Sequence, residues 1–523
     1  MRLPFLVAGT FLLSGLIFSC SHLTTPRSAT QHKAGWVTGD FHEHSHFSDG
    51  GYPLDSVYTR GAYYGSNFML NTDHGGCYPR DYDGRVWDNI PGTVFKGVDA
   101  GVDKNGNRQM WRWQELLEYS YPRVAAFQKN NPGRHYIQGL EWNSPSTSHT
   151  TTGIIANSGL PISMFEYQFD YSDLDTAGGP AEGLVKMNGR KNGNGELLSP
   201  AQRREATAAA IQWLMKHHRY NSWAFVAHPE RGGDVKVGDL RHFNNAGPDV
   251  AFGFEGIPGH QKNTLRAIFY PQHAAGGGTY GGVGYYASEV GGTWDALLGE
   301  GRRFWLVASS DFHGMSSDFW PGEYHRTWIY AKDTTDPLSI LEGMRSGNMY
   351  VCNGGLINAL EVTAVQGGKT ATLGQTLNTK PGLPVEIVIR FQTSKPNFNN
   401  TLPEVKMVHL ITGDITAMTQ PGTPEFENDT NPSAKVEKLF TAADWKQNGG
   451  WNEIRYTIKN PTKDFYFRVR GANHLPGTPY ETDAAGNPLA DSLATKHLGI
   501  DGAEEAWADL WFYSNPVFVK MKQ

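Results

Sequence analysis

Between Trp36 and about Gly355 one pattern recurs: a short apolar run ends in a polar cluster, and a helical segment follows. "FMLNTDHGG", "HYIQGLEW", "WAFVAHPE" and "FWLVASSDFHG" are runs of this kind. Their length and their flanking polar residues predict buried strands running into loops. "SPAQRREATAAAIQWLMKHHRY" predicts a helix capped by Ser199, with Ala208, Ile211, Leu214 and Met215 on one face. "DPLSILEGMRSGNMYV" predicts another, ending at Gly347 and followed by a strand. Such alternation predicts a parallel sheet or barrel, with functional loops at the carboxyl ends of its strands. After Gly355 the period changes. "VEIVIRF" alternates at Val385, Ile387, Ile389 and Phe391, "FYFRVRG" at Phe465, Phe467 and Val469, and "NPVFVKM" closes the chain. Residues 356–523 therefore read as an antiparallel β-sandwich, after an α/β region over 35–355.

Composition narrows the class. A chain of 523 residues, 39% hydrophobic and 19% charged, has the core material for two or three folded domains. Its net charge of -6 and lack of a basic tail give no sign of a nucleic-acid partner. Residues 1–20, Arg2 followed by "LPFLVAGTFLLSGLIFSC", read as an export signal, and residues 21–34 as a tether. "IFSC" resembles a bacterial lipobox, which implies that Cys20 is lipidated and becomes the mature N-terminus, with simple secretion as the alternative. The expected location is the periplasm, or the outer membrane or cell surface as a lipoprotein, with membrane contact only through such an anchor. The remaining Cys77 and Cys352 could pair or be small buried residues. "AAGGGTYGGVG" lacks the Gly-Lys-Ser/Thr of a phosphate loop and reads as a mobile loop. Residues 80–113, with Trp87, Trp111 and Trp113, read as an insertion that could roof a pocket.

The chemistry begins at "GDFHEHSHFSDGG". Residues two apart on a strand face one side, so His42 and His44 can aim at one ion. "SDGG" predicts a turn that ends the row before His46 and folds Asp49 back. The other strand ends offer His74, Glu141, His149, His228, Asp311 and His313. These nine side chains exceed the three or four that hold one catalytic zinc. They suit two or three divalent ions, zinc, manganese or iron, with a bridging carboxylate. Asp40 and Asp73 read as supporting or turn residues and Glu255 as structural. Arg231 and Arg326 could clamp an anionic substrate or form surface ion pairs.

"DFHEHSHFSDG", "TDH", "GLE", "AHP" and "SSDFHG", in that order, resemble the motifs of the PHP (polymerase and histidinol phosphatase) superfamily. The resemblance covers residues 36 to about 330 and implies a distorted (β/α)7 barrel, followed here by the sandwich. With "HRTWIYA" and the terminal "SNPVFV", the whole chain resembles an exported branch of CehA/McbA-type metallohydrolases, which contains carbamate hydrolases. The family scheme implies a first metal on His42, His44, Glu141 and Asp311. It implies a second on Glu141, His149 and His228, and a third on Asp49, His74 and His313. Glu141, Asp311 and His313 would be the catalytic members, while His46 falls at a variable position.

Three such ions bring about +6, the ligand carboxylates about -3, and a bridging hydroxide nucleophile leaves roughly +2. That excess favours a small anionic substrate. The expected activity is hydrolysis of phosphate mono- or diesters. The alternatives are a metal-dependent hydrolase of carbamates, amides or carboxylic esters, and a surface binding lipoprotein.

Overall fold

The computed structural model describes residues 33–522 apart from 188, 193, 234, 270–277 and 394. The export signal, the lipobox, most of the tether and part of the glycine-rich loop lie outside the described residues.

Among the described residues eleven strands form before residue 355: β1 (Gly35–Asp40), β2 (Phe68–Asn71), β3 (Cys77–Tyr78), β4 (Met110–Trp111), β5 (His135–Ser144), β6 (Ser148–Ile154), β7 (Ser222–Val226), β8 (Gly253–Ile257), β9 (Trp305–Ala308), β10 (His325–Ala331) and β11 (Met349–Asn353). All but β3 and β4, which pair as a small hairpin, join one sheet in the order β11-β10-β1-β2-β5-β6-β7-β8-β9. The sheet is mixed, which corrects the expectation of a parallel one. Neighbours are parallel at β1–β2, β2–β5, β7–β8 and β8–β9 and antiparallel at β10–β11, β1–β10, β5–β6 and β6–β7. The link between β5 and β6 is too short for a crossover, so β6 must return antiparallel. At the far end, Thr327 of β10 bonds both the Ala308 amide (2.8 Å) and its carbonyl (2.9 Å) through its hydroxyl, which brings β9 beside β10.

The predicted helices form where the pattern put them. Pro200–His218 carries a reciprocal cap between Ser199 and Gln202 and buries Ala208, Ile211 and Leu214. Pro337–Ser346 ends at Gly347, whose φ of 76° closes the helix as glycine readily does.

The second half contributes β12 (Ala359–Gln366), β13 (Lys369–Thr372), β14 (Thr376–Thr379), β15 (Val385–Gln392), β16 (Met407–Asp414), β17 (Lys435–Thr441), β18 (Lys446–Asn448), β19 (Trp451–Ile458), β20 (Phe465–Ala472), β21 (Trp511–Ser514) and β22 (Val517–Met521). A separate antiparallel sheet runs β13-β12-β15-β19-β18. It faces β16, β20, β21 and β22 across a core that includes Ile387, Ile389, Leu410, Phe467, Val469 and Val519. Strand β21 pairs with β11, so the first sheet continues into the second half across residue 355. The alternation in β15 appears as predicted, with alternate residues buried. In β20 every residue is buried. Its second face lies against Asp295, which pairs with Arg468 at 2.9 Å and accepts from the Tyr466 hydroxyl at 2.9 Å.

Cys77 and Cys352 are both free, the latter fully buried. In the 80–113 insertion, Trp87 donates to Tyr78 O at 3.0 Å and Arg112 to His74 O at 2.6 Å. The insertion thus braces one loop of the site described next.

Candidate metal centre

Strand β1 stops at Asp40, yet the chain stays extended. Glu43 bridges Phe312, and the His44 amide donates to Phe312 O at 2.9 Å. Alternation therefore sends His42 and His44 to one side, with their Nε2 atoms 3.1 Å apart. The chain then turns through residues 46–49. Asp73 pins this turn by accepting from the Ser45 amide (2.8 Å) and the Ser48 hydroxyl (2.5 Å). A Cβ on Gly50 would lie 2.6 Å from the His44 backbone, so the close return needs glycine. The turn carries Asp49 Oδ1 to 3.4 Å from both His44 Nδ1 and His313 Nε2.

Glu141, at the carboxyl half of β5, is the centre of the cluster. Its Oε1 lies 3.1 Å from His42 Nε2, 2.9 Å from His149 Nδ1 and 3.1 Å from His228 Nε2. Its Oε2 lies 3.2 Å from His44 Nε2 and 2.9 Å from His74 Nδ1. Asp311 Oδ1 approaches His42 Nε2 at 3.2 Å and His44 Nε2 at 3.4 Å. His74 Nε2 reaches Asp49 Oδ2 at 3.5 Å, and the His313 ring stacks on His44 with centroids 3.9 Å apart. All nine sequence-selected side chains thus converge. Two of them, His228 and Asp311, hold φ of 29° and 45°. Such backbone persists only where the surroundings over-determine it, and it concentrates at functional sites.

The electrostatics fit an ion. Burial opposes ionisation of Glu141, but His149, His74 and His42 outweigh it and hold its carboxyl well below the usual range. Burial likewise opposes ionisation of Asp311, and His42, His260 and Arg231 hold it well below. For His74 and His313, burial is outweighed by Glu141 and Asp49 respectively, and both are raised to about 9. Burial first, then Arg231, depresses His228 to about 3, leaving it the neutral imidazole that ligation requires. Glu141 Oε2, Asp311 Oδ1 and His74 Nδ1 are buried without hydrogen-bond partners. Orphaned ligand-type atoms facing one another at the centre of the cluster are what a bound cation would satisfy. His42, His44, Glu141 and Asp311 have one ligand atom each within 4.8 Å of all the others, as do His44, Asp49, His74 and His313.

The two arginines part company. Arg231 Nη2 sits 2.9 Å from Asp311 Oδ2, at the edge of a pocket of 130 Å³ that His149, His228 and Thr147 also line. Arg326 does not reach the cluster, because it donates to Gly322 O (2.9 Å) and Tyr64 O (3.3 Å) on the far side of β10. His46 makes no contact with the ligand-type side chains. Its amide bonds Tyr52 O at 2.9 Å, and its ring packs on Gly84. Asp40 accepts from the Ser310 amide at 3.0 Å, and burial lifts its carboxyl to about 7.

Three contributors were missed or misjudged from the sequence. Glu255, taken as structural, is fully buried with Oε1 3.0 Å from His42 Nδ1. It fixes the ring so that Nε2 faces Glu141 and Asp311. His260 places Nε2 3.3 Å from Asp311 Oδ2 and Nδ1 2.6 Å from Asp318 Oδ1. Asp318 in turn accepts from the His313 amide at 2.7 Å. The available signal was thin: Glu255 sits in the middle of β8, and His260 follows its carboxyl end as His228 and Asp311 follow β7 and β9.

No family model matches the chain, and no curated protein matches it. Among solved structures it is similar to a two-domain protein from Bacteroides vulgatus containing a predicted PHP-like metal-dependent phosphoesterase. The identity is 12% and the TM-score 0.30, over 87% of this chain and 94% of that one.

Proposed function

We propose that the chain is an exported, PHP-type metal-dependent hydrolase of phosphoesters, with two or three divalent ions in the strand-end cluster. One observation carries this reading: Glu141 is buried with five imidazole nitrogens distributed over its two oxygens. A carboxylate so placed is suited to bridge ions. The order of the sequence motifs supports PHP type. The hydroxyl bonds from β10 to β9 support a distorted barrel closed between those strands. Export rests on the leader sequence alone.

His42, His44, Glu141 and Asp311 would hold one ion, Glu141, His149 and His228 a second, and Asp49, His74 and His313 a third. Such ions supply an activated water at neutral pH and Lewis acidity toward a phosphoryl oxygen. The chain's own groups prepare the site. Glu255 and Asp318 orient the His42 and His260 rings. Arg231 and His260 both hold Asp311 Oδ2, leaving Oδ1 toward His42 and His44. The pocket beside His149 and His228 gives a substrate a place next to these ligands, and Arg231 is the one candidate clamp that reaches it. Arg231 is also committed to Asp311, so its loss should lower turnover as well as raise KM.

The test is metal analysis with a parallel screen on aryl phosphate monoesters, diesters and carbamates after manganese, zinc or iron reconstitution. Phosphoester turnover inhibited by inorganic phosphate is expected. Carbamate turnover insensitive to phosphate would replace this reading with a carbamate-type hydrolase. Inert, metal-free protein would leave a binding role.

A further inference from the structure

A second group of buried ionisable side chains lies outside the strand-end cluster. It is built from the 260–268 loop and from residues 473–510, which connect β20 to β21. Four carboxylates meet there with less than a tenth of their surface exposed: Glu481, Asp491, Glu505 and Asp509. They face one guanidinium, Arg266, which is fully buried, and one imidazole, His474.

The supply of donors and of positive charge falls short. Arg266 Nη1 is approached by Glu505 Oε2 at 2.6 Å, Asp509 Oδ2 at 3.1 Å and Asp491 Oδ2 at 3.1 Å. One guanidinium nitrogen has two hydrogens for these three oxygens. Asp491 is also served by Thr279 Oγ1 and by the Gly281 and Gly282 amides. Glu505 is not: its Oε1 is buried with no hydrogen-bond partner, although the side chain is fully buried. On the other side of Asp509, Oδ1 lies 3.4 Å from His474 Nε2, which in turn lies 3.9 Å from Glu481 Oε2. That ring nitrogen is also without a hydrogen-bond partner. His474, Glu481 and Asp509 each present a ligand atom within 4.8 Å of the other two. A buried cluster with this excess of carboxylate must take up protons or a cation.

We propose that His474, Glu481 and Asp509 bind a divalent cation, with the unpartnered Glu505 oxygen in the same cluster. The cation pins together the two ends of the 473–510 segment, whose Asp509 also meets Arg266 of the neighbouring loop. Imidazole with carboxylate is the donor set of manganese or zinc rather than of calcium. Its role is structural, because all three ligands lie in the one connection between β20 and β21.

Manganese is the probe. Crystals of the full chain, stripped with chelator and soaked in manganese chloride, should show an anomalous peak bounded by His474, Glu481 and Asp509. That peak should be separate from any at the strand-end histidines. No peak there, with peaks at the strand-end cluster, would overturn the proposal. A solution measurement does not depend on crystals. In the Asp311→Asn background, added manganese should raise Tm, and Glu481→Gln should reduce that rise. Glu481→Gln removes surplus charge, so it should fold at least as well as its parent without metal. An equal rise in Tm with and without Glu481→Gln would also overturn the proposal.

Discussion

The strand-end cluster and the Arg266 cluster both bury carboxylates, and they compensate them differently. In the first, Glu141, Asp311 and Asp49 are met chiefly by imidazoles arriving from separate strand ends. In the second, the main partner of three carboxylates is a single guanidinium. An imidazole can surrender its proton and become a ligand, whereas a guanidinium cannot. The first cluster can therefore exchange protons for ions. The second is a clamp, left short of positive charge, that holds residues 473–510 on the loop carrying Arg266.

The sharpest way to separate the two is Asp311→Asn. Asparagine tolerates the φ of 45° at this position, so the fold should persist. Turnover should fall by about a thousandfold, ~4 kcal/mol in barrier, with loss of metal from the strand-end cluster. Near-normal turnover in the purified variant would remove Asp311 from the ligand set. Arg266→Met addresses the clamp. Three buried carboxylates would lose their shared partner, and urea unfolding should show a loss of about 3 kcal/mol. If stability is unchanged, the carboxylates are already neutral and the guanidinium is not what compensates them.

Glu255→Gln is subtler. The amide keeps the shape and removes the charge behind His42. Metal affinity, measured by competition with a chelator, should weaken about 10- to 100-fold while unfolding stability changes little. An unaltered affinity would mean that packing alone aims the His42 ring. The smallest effect concerns a buried histidine that belongs to neither cluster. His409 accepts from Arg470 Nε and is held at about 3 by burial and by Arg470. Its folded pKa lies below the unfolded value, so the native state binds fewer protons between about 3 and 6.5. Its contribution is complete above that range and is lost as pH falls through it. His409→Gln should flatten the decline in stability between pH 6.5 and 4 by up to roughly 1.4 kcal/mol per pH unit. Parallel wild-type and variant curves would show that His409 does not titrate on unfolding.

Much of the site was legible because its residues share a local rule. His42 and His44 alternate, and His74, Glu141, His228 and Asp311 each end an apolar run. That rule concerns backbone direction, which short-range sequence encodes. Glu255 was passed over, because it sits in mid-strand and a lone glutamate in "GFEGIPG" carries no sign of the ring it will face. Arg326 failed for the opposite reason. Its position after a motif was visible, but β10 pairs with β1 and β11 in a register that turns it toward Gly322 and Tyr64.

The helices capped by Ser199 and closed by Gly347, the buried alternation of β15 and the turn that returns Asp49 were determined by the sequence itself. The signal for each lies within a few positions of the chain, although Asp73 pins the turn from a distance. The burial of both faces of β20 and the Arg266 cluster were decided by tertiary structure. They require groups more than a hundred residues apart, or a partner sheet that local periodicity cannot name. The charge balance of a buried cluster is a sum over everything the fold brings together, and no stretch of sequence carries that sum by itself.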